Sequence, residues 1–200
     1  MRGTGADGER LLAEARAGDL VLFSGKGLVS GSIRFFTRSR WSHVGLVIRD
    51  DDNGELLLLE STATDESADV ALGRPVRGVQ VVRLTEKLAA YDGAVALRRL
   101  EFDERPPGFD DELREIAELW RYRGYKNFVG TLLLDLLSGN RRPPRVHRVF
   151  CSELVAEIYK RLGVMTRAVR SSRCVPGDFG GEDVPYFTQA RLSAPVMLKG

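Results

Sequence analysis

Residues 42–60 read SHVGLVIRDDDNGELLLLE, and this stretch predicts the centre of a β-sheet. Two runs rich in Val, Ile and Leu, at 42–49 and 55–60, flank the acidic turn DDDNG. Within the turn, Asn53-Gly54 is a strong hairpin signal. Aliphatic runs on both sides of such a turn favour paired strands. The stretch therefore predicts an antiparallel β-hairpin.

The register of this hairpin determines which side chains share a face of the sheet. Opposed residues have a constant sum of residue numbers, so a four-residue turn at 51–54 gives 105 and a six-residue loop gives 103. The first register puts Glu60 opposite Gly45 and diagonal to His43, and the second puts it directly opposite His43. Because both sums are odd, either register places the imidazole and the carboxylate on one face.

The remaining hydrophobic patterns predict a mixed α+β chain. Further strands are expected at 18–23, 78–84 and 93–98. Helices are expected at 8–17, 28–37, 110–123, 128–137 and 151–162, and a loop is expected at 141–144. The fold class that follows is a small antiparallel sheet or half-barrel packed on helices. Residues 1–17 are interpreted as an N-terminal extension or helix, and residues 18–200 as a single domain.

The composition is that of an ordinary globular protein. Hydrophobic residues make up 43% of the 200 residues, charged residues make up 29%, and the net charge is +2. A charge this close to zero gives no case for nucleic acid as a partner. The N-terminal segment lacks the apolar core of a signal peptide, and the longest apolar stretch, 131–137, is interrupted by Asp135. We therefore expect a cytoplasmic protein whose two cysteines stay reduced.

Cys151 is the candidate nucleophile because it begins the predicted helix 151–162. A thiol attacks carbonyl carbons as the thiolate, and a helix N-terminus and a neighbouring histidine both lower the pKa of a cysteine. The helix would be held against the sheet by an apolar stripe that consists of Leu154, Val155, Ile158, Tyr159 and Leu162. The second cysteine, Cys174, has no partner implied by the sequence and is interpreted as structural.

His43 is the candidate base, and Glu60 is the candidate group that orients it. A carboxylate that accepts a hydrogen bond from one ring nitrogen fixes the tautomer and leaves the other nitrogen to take the thiol proton. The other histidine, His147, lies in a predicted loop with no partner implied. The sequence therefore predicts a triad of Cys151, His43 and Glu60. We expect the sulfur to face His43 across the contact between helix and sheet.

Other interpretations of these residues stay open. A cysteine at a helix start can be a small buried hydrophobe, His43 a core histidine and Glu60 a solvated strand end. A zinc site of His43, His147, Cys151 and Cys174 is conceivable, but H-x3-C followed by a distant lone cysteine matches no common zinc pattern. We therefore predict neither a metal nor a cofactor.

Five segments of the chain resemble the permuted NlpC-type papain-like superfamily, and in particular its YiiX-like branch. They are GDLVLF, WSHVGLVI, a strand ending in LLLLE, FCSELVAEIYKRLG and PGDF. In that branch the histidine strand precedes the cysteine helix, as it does here. The resemblance implies a circularly permuted papain-like fold with Cys151 as nucleophile, His43 as base and Glu60 as the polar third residue. It also implies that Tyr125 lines the pocket.

The chemistry expected from these residues is acyl transfer through a thioester on Cys151. The superfamily that the chain resembles includes cell-wall peptidases, acyltransferases and lipid amidohydrolases. The resemblance therefore implies that the substrate is a small peptide, an amide or an acyl lipid. Trp41 and Ser42, directly before His43, are predicted to contact it. The alternative is a non-catalytic module of the same fold that binds a lipid or a peptide.

A cluster of arginines precedes the nucleophile and consists of Arg141, Arg142, Arg145 and Arg148. Such a cluster is most often part of a solvated loop. It is also suited to an anionic substrate or a phospholipid headgroup, which predicts transient contact with a membrane surface.

Overall fold

The fold is taken from a computed structural model, which describes residues 5–26, 31, 39–63, 66–125, 148–181 and 187–200. The helix predicted at 128–137 and the loop predicted at 141–144 lie outside the described residues. The helix predicted at 28–37 also lies outside them, apart from residue 31.

The described elements are mixed α and β, as the sequence predicts. The helices are α1 (Gly5–Ala13), α2 (Leu84–Ala90), α3 (Phe109–Trp120) and α4 (Cys151–Arg161). The strands are β1 (Leu20–Gly25), β2 (His43–Arg49), β3 (Leu56–Thr62), β4 (Gly78–Arg83), β5 (Gly93–Arg98), β6 (Leu100–Phe102), β7 (Gly124–Tyr125), β8 (Arg148–Val149), β9 (Ala190–Leu192) and β10 (Val196–Lys199). Two short 3-10 helices lie at Ser171–Arg173 and Pro176–Phe179. The element α2 and the short strands β6 to β10 were not predicted from the sequence.

Six strands form one antiparallel sheet in the order β10-β5-β1-β2-β3-β4. The hairpin predicted from residues 42–60 lies within this sheet as β2 and β3. Two small pairs lie outside it: β6 pairs with β9 antiparallel, and β7 pairs with β8 parallel. The parallel pair places the backbone of residue 125 beside Val149, two positions before Cys151.

Both faces of the sheet are covered, so its central strands read as continuous apolar runs. One face packs against α3 and α4, with Leu46 and Leu59 among the buried strand residues and Leu154 among those of α4. The other face carries Phe23 and Leu58 and packs against α2. Strand alternation therefore decides which helix layer each side chain meets.

The helix α4 is held by backbone and apolar contacts. Leu154 and Val155 are fully buried, and the helix ends before Gly163, whose φ of 68° suits glycine. Val164 and Met165 both donate their N–H groups to the Tyr159 carbonyl, which closes the C-terminal turn. These contacts fix the position of the helix beginning at Cys151. Among the described residues, no helix combines the length and the apolar character needed to cross a membrane.

Candidate active site

Cys151 is the first residue of α4, and its surroundings are firmly tied to the fold. The thiol is buried, with 6% of the residue exposed. The hydroxyl of Ser61 in β3 donates to the Val149 carbonyl at 2.8 Å, and the hydroxyl of Ser152 donates to the Cys174 carbonyl at 2.6 Å. Both bonds are buried, so the backbone on either side of Cys151 has little freedom to move.

The N-terminal turn of α4 also uses a side-chain cap. The Phe150 N–H donates to the Glu153 carboxylate at 3.3 Å, and the Leu154 N–H donates to the Phe150 carbonyl at 2.9 Å. A carboxylate in the first turn is stabilised by the partial positive charge of the helix N-terminus. Glu153 therefore supports the beginning of the helix, in agreement with its position in the sequence.

The β2–β3 pair has the register with a sum of 105. Leu46 lies opposite Leu59 and Val47 lies opposite Leu58, which continues to Gly45 opposite Glu60. This is one of the two odd registers predicted from the hairpin, and Glu60 lies diagonal to His43. The Nε2 atom of His43 is 2.7 Å from Oε2 of Glu60.

The Cys151 thiol forms the predicted hydrogen bond with His43, at the N-terminal ends of β2 and α4. The expected face is wrong, because His43 belongs to the face of the sheet that the body of α4 does not cover. By strand alternation, the side chains of His43 and Glu60 point to the α2 face, and the imidazole lies 5.5 Å from the ring of Phe23. The body of α4 packs on the opposite face. The hydrogen bond between the thiol and the imidazole forms because His43 begins β2 and Cys151 begins α4. The two elements begin close together, so their first side chains can form this bond.

Opposite charges within this pair shift both pKa values. Burial alone lowers the pKa of His43, but the charge and hydrogen bond of Cys151, followed by those of Glu60, raise it to about 9. Burial alone raises the pKa of Cys151, but the charge and hydrogen bond of His43 bring it below its ordinary value. Backbone N–H groups of Val44 and Ser152 act in the same direction. Both shifts favour the pair of thiolate and imidazolium over the neutral pair.

Glu60 is fully buried and accepts hydrogen bonds on both oxygens. Besides His43 on Oε2, the Oε1 atom accepts from Gln80 Nε2 at 3.0 Å and from Lys87 Nζ at 2.9 Å. Burial would raise the pKa of this carboxyl, but the charge of Lys87 and the hydrogen bond from His43 hold it well below its usual range. The carboxylate thus stays ionised and oriented away from bulk water.

Sequence reasoning missed both Gln80 and Lys87. Gln80 lies directly opposite Glu60 in the β3–β4 pair, but the long connection between these strands leaves their register undetermined by sequence. Lys87 lies on α2, where Leu84 and Leu88 have the i, i+4 spacing of a short helix. That spacing could have predicted α2, although not which strand residue its lysine would meet.

Trp41 and Ser42 are buried, with 2% and 3% of each residue exposed. The Ser42 hydroxyl donates to the Phe23 carbonyl at 3.2 Å and accepts from the Gly25 N–H at 3.2 Å. Trp41 packs so closely on Gly180 that no Cβ would fit there. These contacts favour support of the strand before His43 over direct contact with a substrate.

The remaining predicted residues are placed only in part. The side chain of Tyr125 lies outside the described residues, as do His147 and the arginines Arg141, Arg142 and Arg145. Among the residues that the structure describes, no group of metal-ligating side chains could hold a metal ion. Cys174 is buried, and burial followed by the charge of Asp178 raises its pKa to about 12, which suits a structural thiol.

Comparison with known proteins identifies a similar fold. No protein-family model matches the chain, and no curated protein matches it at a significant level. A solved structure, the crystal structure of the metalloprotein YiiX from Escherichia coli O157:H7 (DUF1105), matches with a TM-score of 0.53 and 16% identity. The match covers 92% of this chain and 96% of that chain. The chain therefore has a YiiX-like α+β fold, in line with the resemblance found in its sequence segments.

Proposed function

We propose that this protein is a cysteine-dependent hydrolase or acyltransferase with a circularly permuted papain-like fold. The observation that carries the proposal is the continuous hydrogen-bonded series of Cys151, His43 and Glu60. A packing cysteine needs neither a basic partner nor a buried carboxylate behind that partner. The YiiX-like fold is compatible with this assignment but does not carry it.

In the proposed mechanism, Nε2 of His43 is held by Glu60, so Nδ1 is the nitrogen that exchanges a proton with Cys151. The thiolate attacks a carbonyl carbon, and the C=O electron pair moves onto oxygen. The backbone N–H of Cys151, at the helix N-terminus, is the proposed donor to that oxyanion. The tetrahedral species then expels the leaving amine or alcohol, which takes the proton from His43, and a thioester remains on Cys151.

The second half of the reaction decides whether the protein is a hydrolase or a transferase. His43, now neutral, takes a proton from water, an alcohol or an amine as that group attacks the thioester carbonyl. The second tetrahedral species then breaks its C–S bond and expels the Cys151 thiolate, which restores the pair of thiolate and imidazolium. The product is an acid with water, and an ester or amide with the other acceptors. The proposed substrates are small peptides, amides and acyl lipids. The competing assignment is a non-catalytic module that binds the same compounds.

Alkylation at mildly acidic pH tests the proposed nucleophile. At pH 6 iodoacetamide should modify Cys151 much faster than Cys174, because the pKa of Cys151 is lowered whereas that of Cys174 is raised to about 12. Mass spectrometry of peptides from a short time course would measure both rates. Cys174→Ser is the matched control and should leave the labelling of Cys151 unchanged.

Two site variants complete this test. His43→Ala should fold and label slowly at pH 6, since it removes the cation that stabilises the thiolate. Cys151→Ser should fold but lose any turnover found in a screen of peptide, ester and phospholipid substrates. Equal labelling of both cysteines, unchanged in His43→Ala, would show an ordinary buried thiol and favour the binding module.

A further inference from the structure

Lys87 and His43 share one carboxylate from opposite sides. Glu60 is fully buried, and its two oxygens are divided between these partners, with Oε2 towards His43 at 2.7 Å and Oε1 towards Lys87 at 2.9 Å. Gln80 adds a neutral donor to Oε1 at 3.0 Å. Hydrogen bonds to both oxygens restrict rotation of the carboxylate, so Oε2 stays directed at the imidazole of His43.

The lysine is itself deeply placed, with 6% of its side chain exposed. An ammonium group is costly to remove from water unless an opposite charge meets it. Helix α2 nevertheless turns Lys87 inward, where its cation opposes protonation of His43 while it neutralises Glu60. The charge of Lys87 therefore offsets part of the stabilisation that Glu60 gives the imidazolium, which a neutral donor could not do.

Charged and titratable groups near α2 come from several elements. Those in the network are His43 of β2, Glu60 of β3, Lys87 of α2 and Cys151 of α4. The others around α2 engage different partners: Arg83 with Glu55 and Glu86, Lys199 with the carbonyls of Leu88 and Tyr91, Lys26 with Asp92, and Tyr91 edge-on with Phe23. Among the lysines and arginines that the structure describes, Lys87 is thus the one that contacts the carboxylate behind the base.

We propose that Lys87 is a positioning residue that fixes Glu60 and limits the basicity of His43. This inference rests on the proposed function, because it concerns the same nucleophilic pair. It makes the site a network of four charged groups in which two cations and two anions balance. The lysine does not touch the reacting atoms and acts through Glu60.

The test compares Lys87→Met and Lys87→Gln with the unaltered protein. The first variant removes charge and donor, and the second removes the charge but keeps a donor for Glu60. Imidazole ¹H–¹⁵N NMR spectra between pH 5 and 11 follow His43, and since the chain has two histidines, His43→Ala assigns its signals. We expect the pKa of His43 to rise by about one pH unit in both variants, the size typical of one nearby charge.

Two controls separate charge in the network from charge in general. Lys87→Arg keeps the cation and should keep the pKa of His43 near that of the unaltered protein. Arg191→Met changes the net charge by the same amount but breaks an exposed ion pair with Glu101, and should also leave His43 unchanged. Alkylation of Cys151 by iodoacetamide is measured in parallel for every variant.

The outcomes distinguish this inference from the proposed function. If the unaltered protein labels Cys151 no faster than Cys174 at pH 6, the proposed nucleophile is wrong and the role of Lys87 falls with it. If Cys151 is activated but both neutral variants keep the pKa of His43, only the Lys87 inference is overturned. Loss of the folded state in both neutral variants, with Lys87→Arg folded, would show that the lysine serves folding alone and would also overturn it.

Discussion

At the scale of single residues, the most constrained group in this protein is the carboxylate of Glu60. It has no exposed surface and contacts one imidazole, one amide and one ammonium. Buried ion pairs are weak evidence of stability, since removing two charges from water offsets much of their attraction. Breaking such a pair is a different matter, because the remaining charge then lies in the interior without compensation.

This asymmetry predicts an unequal response of two variants to denaturant. Glu60→Gln keeps the shape of the side chain but leaves the Lys87 ammonium without its counter-charge, so we expect a loss of about 3–5 kcal/mol in the free energy of unfolding. Glu60→Gln with Lys87→Met removes both charges and should recover much of that loss. Urea unfolding of the unaltered protein and both variants measures the difference. A single variant as stable as the unaltered protein would contradict the buried ion pair.

At the scale of secondary-structure elements, the site depends on where two elements begin. His43 is the first residue of β2 and Cys151 is the first residue of α4, and their side chains meet at the N-terminal ends of these two elements. The hairpin register then decides whether the Glu60 carboxylate can accept a hydrogen bond from the imidazole of His43. At the centre of this arrangement is Gly45, where an added Cβ would lie 2.8 Å from Cδ1 of Leu58. Leu58 is fully buried, so it has little room to move aside.

The close approach of Gly45 and Leu58 predicts a compensating pair of substitutions. Gly45→Ala should destabilise the hairpin by about 1–3 kcal/mol, the usual cost of overpacking. Leu58→Val removes a methylene group and should itself cost about 1 kcal/mol. In a double-mutant cycle measured by thermal unfolding, the double variant should lose less stability than the sum of the losses in the two single variants. Strict additivity would show that the two side chains do not compete for space.

At the scale of the whole molecule, one buried arginine of the sheet forms hydrogen bonds with the C-terminal part of the chain. Arg98 at the end of β5 is 1% exposed. Its guanidinium donates to four backbone carbonyls that lie 81 to 95 residues later in the sequence, those of Phe179, Gly181, Leu192 and Ser193. The planar group with five donors suits this set of acceptors, and an ammonium group does not.

Arg98→Lys should therefore destabilise the protein by about 2–4 kcal/mol, because several buried carbonyls lose their donors. The neighbouring variant Arg99→Lys, which alters a partly exposed ion pair with Glu14, is the matched control and should change stability little. Unfolding in urea measures both. Under folding conditions, Arg98→Lys should keep the pH dependence of Cys151 labelling, because Arg98 has no contact with the triad. An equal effect of the two substitutions would show that the four carbonyl bonds contribute nothing specific.

Local patterns in the chain were sufficient for much of this description. The turn at Asn53-Gly54 between two aliphatic runs predicted the β2–β3 hairpin, and the parity of its register predicted that Glu60 would share a face with His43. The apolar stripe of residues 151–162 predicted a helix beginning at Cys151. These features depend on interactions between residues that are close in sequence. Such interactions can be recognised from a short segment of the chain.

The long-range contacts were decided by the tertiary structure. Lys87 and Gln80 reach Glu60 because α2 and β4 pack beside β3, and no local pattern states which strand face a distant helix will cover. The same reason explains why the expected side of the helix–sheet contact was wrong for His43 and Cys151. The sequence by itself determined the hairpin, the helix start and the candidate triad. Packing of remote segments determined where the three side chains of the triad meet and which buried cation lies behind them, because burial and charge pairing depend on the whole fold.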